Sequence, residues 1–95
     1  MALSDITRES GLAAIAEFDT VGREAFLWNY GFGPARACVL EHGDKRYDSK
    51  AIVGAARGYA TGTPLAAADF SGGAKTVQAL LESLGFALSV DANGV

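Results

Sequence analysis

The chain has 95 residues, 49% of them apolar, with a net charge of −3 and a single cysteine. A domain of this size hides only about 60% of the surface its unfolded chain exposes, so one small core and no long cleft are expected, and the apolar content is too high for disorder. The charge argues against a surface coated for nucleic acid, lone Cys38 rules out an internal disulfide, and no apolar run approaches the roughly 20 residues of a membrane span.

The amino-terminal "MALSDITRES" is polar where a secretory signal would be apolar, so a cytoplasmic location is expected. Charge is uneven along the chain. Residues 1–24 carry Asp5, Glu9, Glu17, Asp19 and Glu24 against Arg8 and Arg23, whereas residues 35–76 carry Arg36, Lys45, Arg46, Lys50, Arg57 and Lys75 against four acids. A mildly basic middle follows an acidic start.

In chain order, "SDITRESGLAAIAEFDTVG" predicts an amphipathic helix with Leu12, Ile15, Ala16 and Phe18 on one side. Ser4, Asp5 or Thr7 can cap it, and Gly22 stops or bends it. "REAFLWNYG" is a short second helix with Phe26, Leu27 and Tyr30 inward and Gly31 as its stop. Trp28 and Phe32 are the aromatics expected to show a face. "ARACVLEHGDKRYDS" reads as a hairpin turning at His-Gly-Asp, with Lys45 to Tyr47 beginning the return strand.

Ser49 or Asp48 can cap the helix "KAIVGAARGYA", in which Gly54 and Gly58 lie one turn apart. Each glycine costs roughly 1 kcal/mol in a helix interior, which implies a close approach, and another helix or the sheet is preferred to a ligand. "TGTPLAAAD" is a connection rich in turn formers. Val77, Leu80, Leu81 and Leu84 then mark the clearest helix, ended by Gly85, and "FALSV" is a strand able to join the hairpin. The expected fold is α+β: three to four helices packed on a short, mostly antiparallel sheet made of the hairpin and the C-terminal strand. Residues 1–90 form the domain, and 91–95 read as the start of a linker or an added tail.

"DFSGGAKT" ends almost as a nucleotide-binding phosphate loop does, but Ala74 precedes Lys75 where glycine is needed, and Asp69 stands where the first glycine belongs. What remains is a helix start, with Ser71 as cap, Gly72 and Gly73 in the first turn and Lys75 just inside. Its amides favour an anion, or else simply meet water. Asp48-Ser49-Lys50 matches the D-x-K fragment of metal-dependent nucleases, with Glu41 or Asp44 as a second carboxylate, though three residues are a weak signal and Ser49 also fits a cap. A hydrolytic triad would need His42, which sits beside a turn. Cys38 and His42 lie roughly 13 Å apart along one strand, too far to share a metal. No cofactor or metal is expected.

Taken as an ordered set, "FLWNYGFGPAR", "RYDSKAIVGAARGYATG", "FSGGAKT" and "LESLGF" resemble the N-terminal head module of bacterial McrA-like HNH restriction endonucleases, from about Thr7 to Val90. The resemblance implies a non-catalytic module of a type IV restriction system, working in DNA recognition or in assembly of the enzyme. Relatives carry sulfur-binding or SRA-type readers and a His-Asn-His nuclease; the one histidine here cannot supply that chemistry, so the chain is expected to be an excised domain or a stand-alone reader. As a reader of double-stranded, modified DNA, it would use Arg36, Arg46, Ser49, Lys50, Lys75 and the amides of Ser71, Gly72 and Gly73 toward phosphates, with Tyr47 and Trp28 on a base or sugar. The alternative is a dimerisation or docking module, pairing with a second copy or with the nuclease domain of the same parent protein.

Overall fold

Helix α1, Arg8–Val21, begins where Thr7 accepts a hydrogen bond from the Ser10 amide while the Ser10 hydroxyl accepts one from the Thr7 amide. This reciprocal cap selects Thr7 from the three possible starts. The structure is a computed structural model, and it describes residues 5–33, 38–66 and 73–90. Gly22 separates α1 from α2, Arg23–Tyr30, and Gly31 ends α2 in the left-handed conformation. Strands β1, Cys38–His42, and β2, Lys45–Asp48, form the hairpin. Gly43 and Asp44 both have positive φ (58° and 67°), the two-residue turn whose twist matches that of its flanking strands. Helix α3, Ser49–Thr61, follows directly; α4, Gly73–Ser83, and β3, Ala87–Val90, complete the order.

The three strands lie in the order β2-β1-β3, both pairs antiparallel, with Leu40 opposite Tyr47 on one side and Leu88 on the other. Strand alternation sends these residues toward the helices and leaves Val39, Glu41, Arg46 and Ala87 on the outer face. The α+β architecture is the one expected. Between the layers lie Phe26, Leu40, Ile52, Val53, Val77 and Leu81, all essentially without solvent contact. Phe18 joins the layers, its ring 5.0 Å from that of Phe26 and 4.9 Å, edge-on, from that of Tyr47.

Helix α1 packs chiefly on α3, and the two glycines of α3 face other neighbours. At Gly54 an added Cβ would lie 2.7 Å from the Leu65 carbonyl oxygen and 2.8 Å from the Phe32 ring. At Gly58 it would meet Pro64 at 3.2 Å. The close approach predicted for this pair is real, but a loop and one aromatic ring make it, in place of the helix or sheet expected. The Leu65 amide also donates to the Gly54 carbonyl, 3.1 Å, fixing the loop on the helix. Phe32 is therefore buried, correcting the expectation that it shows a face.

The two far ends of the described chain meet. Arg8 donates to the carbonyl of Leu84, 2.9 Å, where α4 has run out of internal partners, and its guanidinium lies 4.8 Å from the centre of the Phe86 ring. Among the described residues no helix is long and apolar enough to cross a membrane.

Candidate nucleic-acid interface

Strand β2 has a single apolar residue, Tyr47, and its neighbours Arg46 and Asp48 project to the outer face of the sheet. Asp48 occupies the cap position of α3 but makes no capping hydrogen bond with its side chain. Its carboxylate turns instead to Arg23, the first residue of α2: Nε to Oδ2 is 2.8 Å and Nη2 to Oδ1 is 2.9 Å. The pair is asymmetric, with the Asp48 side chain 6% exposed and that of Arg23 53% exposed. Hydrogen bonding to Asp48, reinforced by its charge, holds the guanidinium pKa above its ordinary value. Arg23, Val39, Arg46, Tyr47 and Asp48 together line a shallow recess of about 160 Å³.

This arrangement corrects two sequence expectations, the contacts assigned to Ser49 and Tyr47, and bears on a third reading that was set aside. Ser49 is not the cap but the first residue of α3, 2% exposed, so it closes the strand-to-helix junction and cannot reach a phosphate. Tyr47 is 3% exposed; its ring packs edge-on against Phe18, and its hydroxyl donates to both oxygens of Asp19 at 2.9 and 3.1 Å. It has no open face for a base or sugar. The metal-nuclease reading of Asp48-Ser49-Lys50 fails because both Asp48 oxygens accept from the Arg23 fork.

Arg46 is exposed on the outer face, and half-buried Lys50 follows in the first turn of α3. The fold thus gathers Arg46 and Lys50 at the β2–α3 junction and adds Arg23, which sequence reasoning passed over. A signal existed: a cation in the first turn of a helix faces the positive end of the helix dipole, so an arginine there needs an acid from elsewhere. Arg57 stands apart, about 10 Å further along α3, donating to the Thr63 carbonyl.

Trp28 is 86% exposed, as expected. It follows Arg23 by five positions on α2, roughly 140° around the helix axis, so it does not share the arginine's face. On another flank, Tyr30 and Tyr59 both donate to Oε1 of Glu17, at 2.7 and 2.8 Å. Burial and that hydrogen bond raise the Tyr30 pKa, and the same bond, then burial, raise that of Tyr59. Arg36, Ser71 and Gly72 lie outside the described residues. Gly73 opens α4, and Lys75 belongs to that helix with its side chain outside the description.

By sequence and by fold, this two-layer α+β module matches a class of N-terminal head domain of restriction endonucleases. The family model for the ScoMcrA-like N-terminal head domain covers residues 4–90, and the chain belongs to that family. Among solved structures it is similar to the type IV phosphorothioation-dependent restriction endonuclease ScoMcrA, with 34% identity and a TM-score of 0.68 over 92% of this chain. The match takes in 13% of that endonuclease, so the chain spans a small part of its relative's length. No curated protein matches.

Proposed function

We propose that this head domain is a non-catalytic DNA-binding module of a type IV restriction system, recognising double-stranded DNA in the setting of modified DNA. The observation that carries the reading is family membership over residues 4–90, together with a relative that is a phosphorothioation-dependent restriction endonuclease. Arg46 and Lys50 at one junction supply a local positive surface on a chain of negative total charge. They hold backbone phosphates, joined by Arg36, Lys75 and the amides of Ser71, Gly72 and Gly73, while the exposed ring of Trp28 offers a stacking face.

The test is fluorescence anisotropy of the whole chain with matched duplexes, unmodified, phosphorothioated, methylated on cytosine or adenine, or hydroxymethylated, at two salt concentrations. Phosphate contacts predict affinity that falls steeply with salt, and Lys50→Glu should weaken binding to every duplex. Affinity that ignores salt removes the reading. A preference for one duplex identifies the modification.

A docking role is supported by one observation, the exposure of two large apolar side chains, Trp28 at 86% and Val21 at 41%. In that reading the apolar surface meets a second copy or the nuclease domain of the parent protein. Light-scattering mass across a concentration series separates the two: a constant monomer that binds duplex favours the first, and a stable dimer without DNA affinity favours the second.

A further inference from the structure

Of the five N–H donors of a guanidinium, two on Arg23 go to Asp48, and the remaining three have no partner among the described residues. The carboxylate side of the pair is dry and the guanidinium side is wet. Arg23 is thus held in one orientation by a buried acid, so the ordering of a long side chain is met on folding rather than on binding. Arg46 enters the same recess from β2, two residues before Asp48. The recess therefore has two guanidinium groups in its lining and one acid, whose oxygens are both occupied. Glu41, opposite Arg46 across the sheet, does not line it but lowers its potential.

The geometry points to a phosphate-binding site in this recess, with Arg23 and Arg46 as its donors and Asp48 as the residue that positions Arg23. The fork left over on Arg23 pairs with two oxygens of a tetrahedral phosphate, and Arg46 in the same lining adds a second positive charge. The site rests on the DNA-binding reading for the identity of its ligand, a phosphodiester of the duplex backbone. It also gives a role to an arginine placed against its own helix dipole.

Two probes test it on the intact chain: dimethyl phosphate, followed through the side-chain Nε–H resonances of Arg23 and Arg46, and unmodified duplex, followed by anisotropy. Both resonances should move with either probe. Arg46→Gln should weaken duplex binding about fivefold, the equivalent of one exposed charged contact, and lower the salt slope by about one. Arg23→Lys keeps the charge and loses the fork, and should weaken binding by a similar factor. Glu41→Gln should tighten it about twofold. If Arg46→Gln and Arg23→Lys bind like the unaltered chain while Lys50→Glu does not, the site is wrong and the DNA reading stands. If duplex does not bind but dimethyl phosphate moves both resonances, the site stands and the DNA reading falls. Resonances that move with neither probe overturn the site.

Discussion

The middle of α3 and its first turn hold the domain together by opposite means. In the middle, Ala51 to Ala56 are buried by shape, and Gly54 leaves less room than a methyl group requires. At the first turn Asp48 and Ser49 are equally buried, but the contact to α2 is a charged fork with one side open to solvent. At Gly54 that seam has no room even for one more methyl group. A junction closed by charge can exchange one anionic partner for another, or share a cation between two, so binding chemistry belongs at this end of the helix.

The largest way to break the contrast is Gly54→Val, which drives two methyl groups into the Leu65 carbonyl and the Phe32 ring. We expect a loss of about 3 kcal/mol in denaturant unfolding, and a melting temperature lower by more than ~10 °C. A variant that unfolds like the original would show that the loop gives way easily. Next comes Arg23→Ala, which takes two charged hydrogen bonds from the buried Asp48 carboxylate. Because the arginine is itself half exposed, the expected cost is about 1–2 kcal/mol, and adding Asp48→Asn should recover part of it. A double variant no more stable than Arg23→Ala alone would show that the buried carboxylate charge is not what that substitution costs.

A smaller effect is alkaline. Burial, then the hydrogen bond to Asp19, pushes Tyr47 up to about 12, while an unfolded tyrosine titrates near 10. Its contribution to stability is complete below pH ~10 and is lost as pH climbs toward 12, because the unfolded chain ionises first. Tyr30 and Tyr59 shift in the same direction. Urea midpoints should fall across that window, less steeply in Tyr47→Phe. Trp28→Ala should move stability by no more than ~0.5 kcal/mol, since 86% of the residue faces water, while lowering duplex affinity if the ring stacks.

The elements were legible because their signals are local: the i, i+3, i+4, i+7 leucines of α4, the Gly43-Asp44 turn, and the glycines after α1, α2 and α4. Side-chain placement was legible only where periodicity speaks. Alternation in β2 separates Tyr47 from Arg46 but does not say which face meets the helices, so Tyr47 read as a base contact is a core residue. Phe32 lies outside any periodic segment, and its burial depends on a glycine 22 positions later. Arg23 was overlooked for the same reason: the acid that gives it meaning stands 25 residues away on another element. Of the expected phosphate contacts, Arg46 and Lys50 fall together. The Ser71–Gly72 start of the last helix lies outside the described residues.

The clasp between Arg8 and Leu84 joins positions 76 apart in the chain. A contact that closes so long a loop carries a large entropy cost on its own and forms when nearly everything between is already in place. It is thus a late event on the way to the native state. Shortening Arg8 to alanine should leave the refolding rate unchanged and speed only the unfolding limb of a chevron plot, so this arginine sets how long the domain stays shut, not how quickly it closes.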